Sequence, residues 1–484
     1  MFSVKHNECV GFESKWTVRK VSTNTSSQTT EFSTSEKGCT TTELTSKEVQ
    51  TDIVKPSTER TDPDAEMENL AKWLKKIYPQ VKNQLDKANN SKAFRNYKLM
   101  DGPVDVTCKL LQNLFVVSKA EGDKALPIIA CLEWSPSGKI LAVVHNFKHK
   151  TWCHHSGVLC LYTFSRNDML SENPKKRLTT ESCITCIQFH PTNGNILVAG
   201  TFTGHIYIWN VENDVDSLIY ETTAHEEYIT QASWIYDTDV ARTVLLASSS
   251  TDGLLKVWQF NNPENCINIG TVYKVKIPIF GILNSNSKIS KSLLDKNDLG
   301  IVCFDFSIHQ PDIFVVATEG GVLARCSVLG ATELKGPSID KPYWDPVYTF
   351  YEPHKGEISI VKFCLQRKDL FLTSGTDGEI RIYLLDQEDP AQIIFTKSPI
   401  TDFSFIPHEE KLLACCGEQG TLEVFHLESG KNIELHFNAR PRKRLLTNLT
   451  IHNFRTNFVA LGNNNGEVQL WNVPWSNIAF KSRT

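Results

Sequence analysis

The chain has 484 residues, 40% hydrophobic and 22% charged, with a formal net charge of −4 and a mean hydropathy of −0.26. So even a balance leaves no electrostatic footprint for nucleic acid or an anionic membrane surface, and apolar runs such as Ile140–Val144 fall far short of the ~20 residues that span a bilayer. The N-terminus lacks the apolar h-region of a secretory signal, and the 14 Cys are scattered through apolar runs, which reads as a reduced, intracellular protein. Length alone suggests about three domains, but the residue pattern gives a different division: a tail, a helix and one ring of repeats.

The first 61 residues contain 22 Ser and Thr, in runs such as Thr40-Thr41-Thr42. A segment so poor in apolar side chains cannot offset the ~1–2 kcal/mol per residue of backbone ordering, so residues 1–64 are predicted to be disordered in isolation. Within them lie two similar signals, Gln28-Thr29 and the fuller Lys47-Glu48-Val49-Gln50-Thr51-Asp52. An extended peptide that alternates β-branched and polar residues suits addition to an exposed sheet edge. In a Thr-rich tract the same dipeptide also arises without function.

From Asp64 to Asn90 the character changes. Leu70, Trp73, Leu74, Ile77, Val81 and Leu85 fall on one helical stripe, with Lys72, Lys75, Lys76 and Lys82 opposite. Pro79 removes a backbone donor and is predicted to kink or split the helix near Tyr78. The stripe can cover this protein's own globular body or serve as a partner's handle; residues 65–95 are assigned as the handle.

Residues 96–484 form the third region, in which one unit recurs. Each has an alternating strand, a short apolar strand ending in small residues, a Gly turn, and a strand closing on an aromatic. Gly157, Gly204, Gly253, Gly321, Gly378, Gly420 and Gly466 precede Tyr162, Trp209, Trp258, Cys326, Tyr383, Phe425 and Trp471, always by five residues. Asp252-Gly253, Asp377-Gly378 and Asn465-Gly466 are strong tight-turn signals. A period near ~40–45 residues with four strands per unit is that of a β-propeller blade. The predicted fold is therefore all-β: a seven-bladed WD-repeat β-propeller preceded by a disordered N-terminal tail and an amphipathic helix. Trp209-Asn210 and Trp471-Asn472 stand where WD repeats have Trp-Asp, while Cys326 departs from the pattern. The family's structural His–Ser/Thr–Asp–Trp set is best matched in blade three by His225, Ser250, Asp252 and Trp258. The short segment after Trp471 implies that a strand within Val104–Ser118 closes the ring and removes its open edge. Residues 262–299 and 331–353 are predicted surface insertions.

Signals for chemistry are weak. His145, His149, Cys153, His154 and His155 crowd around Trp152, but neighbouring residues of a hairpin point to opposite faces, and no metal site is assigned. Cys183 and Cys186 have CxxC spacing along a strand without a redox helix. Arg440, Arg442, Lys443 and Arg444 form a basic loop, read either as solvated or as a contact for an acidic partner. There is no P-loop, GxSxG or HExxH motif. No catalytic residue and no cofactor is assigned.

The order of tail, helix and propeller, with the blade-one insertion His149-Lys-Thr-Trp152-Cys153-His-His-Ser-Gly157, resembles dynein intermediate chains. Phe314–Gly321 and Leu370–Gly378 carry the likeness through blades four and five, nearest to the cytoplasmic dynein-2 type. The resemblance implies a non-catalytic scaffold of cytoplasm, cytoskeleton and cilium (axoneme and basal body), acting in retrograde intraflagellar transport. It also implies that Lys47, Val49, Gln50, Thr51 and Asp52, with Gln28-Thr29 as a weaker copy, dock a strand-adding light chain. Leu70, Trp73, Leu74, Ile77, Val81 and Leu85 would lie across a roadblock-type light-chain dimer. The propeller would grip the dynein-2 heavy chain, beside a second WD-repeat intermediate chain joined through the light chains. Two other readings stay open. One is an intermediate chain of another dynein, axonemal or cytoplasmic dynein-1, the latter disfavoured by the absence of heptads in residues 1–60. The other is a substrate receptor of a ubiquitin ligase, disfavoured by the lack of Arg after Trp209-Asn, Trp258-Gln and Trp471-Asn.

Overall fold

The computed structural model describes residues 63–90, 106–115, 128–147, 153, 155–213, 217–238, 243–261, 266–276, 299–334, 342–439 and 444–483. The chain divides into two units between Pro103 and Val104. The described residues of the first unit form a continuous helix from Pro63 to Asn90. It continues through Pro79, so the predicted split near Tyr78 does not occur. Proline removes one helical hydrogen bond, but strong helix formers such as Leu74, Lys75, Lys76 and Lys82 on both sides carry the helix past it.

The second unit is a seven-bladed β-propeller of antiparallel blades. Blade two shows the plan: Ile184–Phe189, Ile196–Thr201, His205–Asn210 and Leu218–Thr223 pair in chain order. The first strands of successive blades touch one another all round the ring, so they line its axis. Second strands lie between neighbouring blades. Ile196–Thr201, Ile313–Thr318, Leu370–Gly375, Leu412–Gly417 and Phe458–Asn463 are therefore buried at every position, which explains their continuous apolar runs rather than alternation.

Closure follows the sequence expectation. Strand Thr107–Phe115 pairs antiparallel with Glu467–Asn472 of blade seven, with Leu114 opposite Val468. Its first residues also run parallel to His436–Phe437. The residues after Trp471 form a helix, Trp475–Arg483. Its Trp475, Ile478 and Ala479 pack into the same core as Val106 and Cys108.

Both predicted insertions contain blade strands. Cys266–Lys274 is the outer strand of blade three, and Val347–Phe350 is the outer strand of blade four. Within 331–353 a further hairpin, Thr332–Leu334 with Tyr343–Asp345, extends blade three to six strands. Polar outer strands alternate too weakly to be told from loops by pattern.

Polar side chains on the innermost strands join the blades. Glu133 accepts the amide of Phe189 at 3.1 Å, Gln231 that of Phe304 at 3.0 Å, Asp305 that of Phe363 at 2.6 Å and Asp402 that of Leu449 at 2.9 Å. Gln188 accepts the amide of Trp234, and Lys362 donates to Asp402 Oδ1 at 3.2 Å. Thr447 closes the circle by donating to the Ile129 carbonyl at 2.7 Å. Apart from the Lys362–Asp402 pair, each bond gives a backbone group of the adjoining blade a partner that water would otherwise supply.

Candidate functional site

On the helix Pro63–Asn90 the apolar stripe is largely exposed. Leu70, Trp73, Leu74, Val81 and Leu85 are 48–58% exposed, and Tyr78 is 65% exposed; Ile77 is half-buried. A contiguous row of large apolar side chains this open is the usual mark of an interaction face. The tail positions Gln28, Thr29, Lys47, Val49, Gln50, Thr51 and Asp52 lie outside the described residues, as do His149, Trp152, His154, Arg440, Arg442 and Lys443.

The structural set of blade three is built around His225, which is buried just before strand Ile229–Tyr236. Its Nδ1 lies 2.8 Å from Asp252 Oδ2, its Nε2 lies 2.8 Å from Ser248 Oγ, and Trp258 Nε1 donates to the same Oγ at 2.9 Å. An indole can only donate and a carboxylate can only accept. The chain therefore runs from Trp258 to Ser248 to His225 to Asp252. Burial alone would raise the Asp252 carboxyl, but the hydrogen bond and charge interaction with His225, the Leu254 amide and the Lys256 charge together outweigh it and hold the carboxyl below the usual range.

The serine of this set is Ser248, not the predicted Ser250. Both lie on one face of strand Val244–Ser250. Trp258 pairs with Leu246, which makes Ser248 its diagonal neighbour, within reach of an aromatic side chain. Ser250 is one step further toward the turn, where its Oγ accepts the Asp252 amide at 3.2 Å.

Blade five carries a second set that sequence reading missed. His354 Nδ1 lies 2.9 Å from Asp377 Oδ2 and its Nε2 2.7 Å from Thr373 Oγ1. Tyr383 takes the tryptophan position, but its hydroxyl donates to the Glu352 carbonyl at 2.8 Å. Beside it Arg381, 1% exposed, is held by Glu379 at 2.7 Å. The signal was present: His354 precedes its strand and Asp377 its turn glycine, as in blade three.

Of the spacing glycines, Gly204, Gly253, Gly321, Gly378, Gly420 and Gly466 have φ between +72° and +80°, the left-handed region that favours glycine at tight turns. At Gly204 a side chain would also strike the His225 carbonyl. Gly157 differs. It is the first residue of strand Gly157–Thr163, reached through the insertion 147–156, and is not among the positive-φ residues. Thr180 and Ser182 leave no room there for a Cβ. Cys326 is fully buried in the core of blades three and four, a small side chain where other blades place an aromatic.

The blade-one cluster is only partly assembled. His145 is a buried strand residue whose imidazole is pushed down to about 4 by burial, with Arg177 adding. The ligand atoms that do come together are those of Cys153, His155 and Cys183, all within 4.8 Å of one another. The CxxC pair supports no redox role, since burial pushes the Cys183 thiol up to about 12 and that of Cys186 to about 11. Arg444 lies 3.8 Å from Glu467.

Among the described residues no helix is long and apolar enough to cross a membrane. The family model for WD domain, G-beta repeat matches residues 172–210 and 216–259. Each match begins shortly before the outer strand of one blade and ends on the third strand of the next, so the sequence repeat straddles two blades. The chain is 22% identical over 415 residues to cytoplasmic dynein 2 intermediate chain 2 of Homo sapiens, covering 84% of this chain and 76% of that protein. It is 23% identical to dynein axonemal intermediate chain 4 of Danio rerio over 54% of this chain and 31% of the relative. It is 22% identical to the 78 kDa flagellar outer-arm intermediate chain of Chlamydomonas reinhardtii over 69% of this chain and 46% of the relative. With a seven-bladed ring and an amphipathic helix, and an alignment running through most of its length, the chain is similar to WD-repeat dynein intermediate chains.

Proposed function

We propose that the protein is a non-catalytic intermediate chain of cytoplasmic dynein-2 that serves retrograde intraflagellar transport in cilia. Its tail and helix collect light chains, and its propeller holds the tail of the heavy chain. The observation that carries this reading is the exposed apolar stripe of the helix Pro63–Asn90, whereas second strands of the blades such as Ile196–Thr201 are buried at every position. The dynein-2 assignment, against an axonemal one, is supported by reach: the match covers 76% of the human dynein-2 chain but 31–46% of the axonemal chains.

In this reading Lys47, Val49, Gln50, Thr51 and Asp52 add a strand to one dimeric light chain, and Gln28-Thr29 offers a second, weaker copy. Leu70, Trp73, Leu74, Ile77, Val81 and Leu85 bind a roadblock-type dimer. Each dimer can take the tail of this chain and that of a second WD-repeat intermediate chain. Two such attachments raise the effective concentration of the pair without a tight single contact.

Affinity purification of the tagged full chain with mass spectrometry tests the assignment. Recovery of the dynein-2 heavy chain with both light-chain types is expected; recovery of an axonemal heavy chain, or of ubiquitin-ligase subunits instead, overturns it. In the same experiment Gln50→Ala with Thr51→Ala is expected to remove the strand-adding light chain alone.

A further inference from the structure

Among the described residues two groups of metal-ligating side chains gather in the propeller. In the first, His354, Asp377 and Glu379, every member is already engaged: both ring nitrogens of His354 have partners, and Glu379 holds Arg381. The second is Cys153, His155 and Cys183. Both cysteines are free thiols. Cys153 and His155 belong to the insertion 147–156 of blade one, whereas Cys183 immediately precedes strand Ile184–Phe189 of blade two. The three ligand atoms thus come from two blades and meet across their junction.

We propose that Cys153, His155 and Cys183 form a Zn²⁺ site that staples the blade-one insertion to blade two. The donor set is right for the ion: two thiolates and one imidazole suit Zn²⁺, and soft sulfur ligands disfavour Mg²⁺ and Ca²⁺. The spacing is right as well. Tetrahedral zinc with bonds of ~2.0–2.3 Å needs ligand atoms ~3.5–3.8 Å apart, so atoms already within 4.8 Å of one another close on the ion with side-chain adjustment alone. The surroundings resemble a second shell. The Cys183 amide donates to Cys153 Sγ at 3.3 Å, the type of bond that steadies a thiolate, and Phe147 stacks on the His155 ring at 4.8 Å between centroids, fixing its plane. Each thiol releases one proton on binding, so Zn²⁺ with two thiolates leaves no net charge at the buried Cys183. The fourth position goes to water, as in sites with three protein ligands.

The test uses the full chain, purified without chelator under reducing conditions. Elemental analysis is expected to find about one Zn²⁺ per chain. After stripping and Co²⁺ loading, a thiolate-to-cobalt charge-transfer band with tetrahedral d–d bands is expected. Cys153→Ser with Cys183→Ser should abolish both the zinc and the band, while circular dichroism shows the propeller intact; His155→Gln should retain the charge-transfer band but weaken binding by about tenfold or more. If the double variant does not fold, the wild-type chain still decides: absence of stoichiometric zinc together with absence of the cobalt band overturns the site. A Cys153–Cys183 disulfide with no bound metal in the freshly isolated chain overturns it too, as does undiminished zinc in the double variant.

Discussion

The helix Pro63–Asn90 and strand Ile196–Thr201 of blade two both carry rows of large apolar side chains, yet their surroundings are opposite. Every residue of the strand is buried between two sheets, while Leu70, Trp73, Leu74, Val81 and Leu85 of the helix remain about half open. Thr107–Phe115 completes blade seven by pairing with Glu467–Asn472, so the ring closes with its second strands packed between blades. Apolar groups within the ring therefore serve stability. Those on the helix make no comparable contribution, and each gains ~1 kcal/mol or more if a partner covers its exposed half. Stability and partner binding should accordingly be separable by mutation.

The largest effect should come from the helix. Trp73→Ala with Ile77→Ala removes the centre of the stripe, where an aromatic anchor typically contributes ~2 kcal/mol or more. Loss of roadblock-type light-chain affinity by at least about a hundredfold in calorimetry is expected, with the urea midpoint of the propeller unchanged. A shift of that midpoint would show that the stripe covers this protein's own body.

The converse variant is His225→Ala. It leaves the Asp252 carboxylate, 2.8 Å from the ring in the intact protein, and the Ser248–Trp258 pair without their shared partner. Leaving buried polar groups unpaired in this way costs about 2–4 kcal/mol. Hydrogen exchange should quicken in blades two to four, with light-chain binding retained. Gly204→Ala, at a φ of +79° and against the His225 carbonyl, should destabilise the same region by about 1–3 kcal/mol.

The belt of inter-blade bonds predicts how the ring responds to pH. Burial pushes the Asp305 carboxyl up to about 7, against the bonds from the Phe363 and Phe306 amides and the charge of Lys362, all of which lower it. Between about 4 and 7 the folded state holds a proton that the unfolded chain has released. This contribution is complete at low pH and is lost as pH rises through 7, with a slope of at most ~1.4 kcal/mol per pH unit. Glu133 is raised for the same reason and acts in the same direction. Asp305→Asn keeps an acceptor for the Phe363 amide without titrating, so its urea midpoint should vary less between pH 5 and 8 than the wild type's. An equal slope in the variant would assign the dependence to Glu133 instead.

Much of the ring was legible because two local rules repeat. A glycine with positive φ sets each turn, and five residues later a side chain meets the neighbouring strand, which located six of the seven turns correctly. Gly157 kept the spacing for another reason: Thr180 and Ser182 exclude a Cβ. The hairpin Thr332–Leu334 with Tyr343–Asp345 escaped notice because its strands are short, half-exposed and attached to a blade distant in sequence. The convergence of Cys183 with Cys153 and His155 was hidden likewise, since linear spacing is blind to a junction between blades. The helix was read correctly as amphipathic, but Pro79 was given too much weight against the helix formers around it.

The finest distinction is between Ser248 and Ser250, which spacing could not separate because both point to the same face of one strand. Geometry separates them. Ser248 Oγ lies 2.8 Å from His225 Nε2 and 2.9 Å from Trp258 Nε1, so Ser248→Ala leaves a buried indole donor unsatisfied and removes a partner from the imidazole, at a cost of about 1–3 kcal/mol. Ser250 makes one longer bond, to the Asp252 amide at 3.2 Å. Asp252 is also fixed independently, by His225 and by accepting the Leu254 amide at 2.9 Å. Ser250→Ala should therefore cost about 1 kcal/mol or less. Urea unfolding of the two single variants and the double reads the order directly. If Ser250→Ala is the costlier change, the hydroxyl that links tryptophan to histidine is the one nearer the turn, and blade three follows the simple sequence register after all.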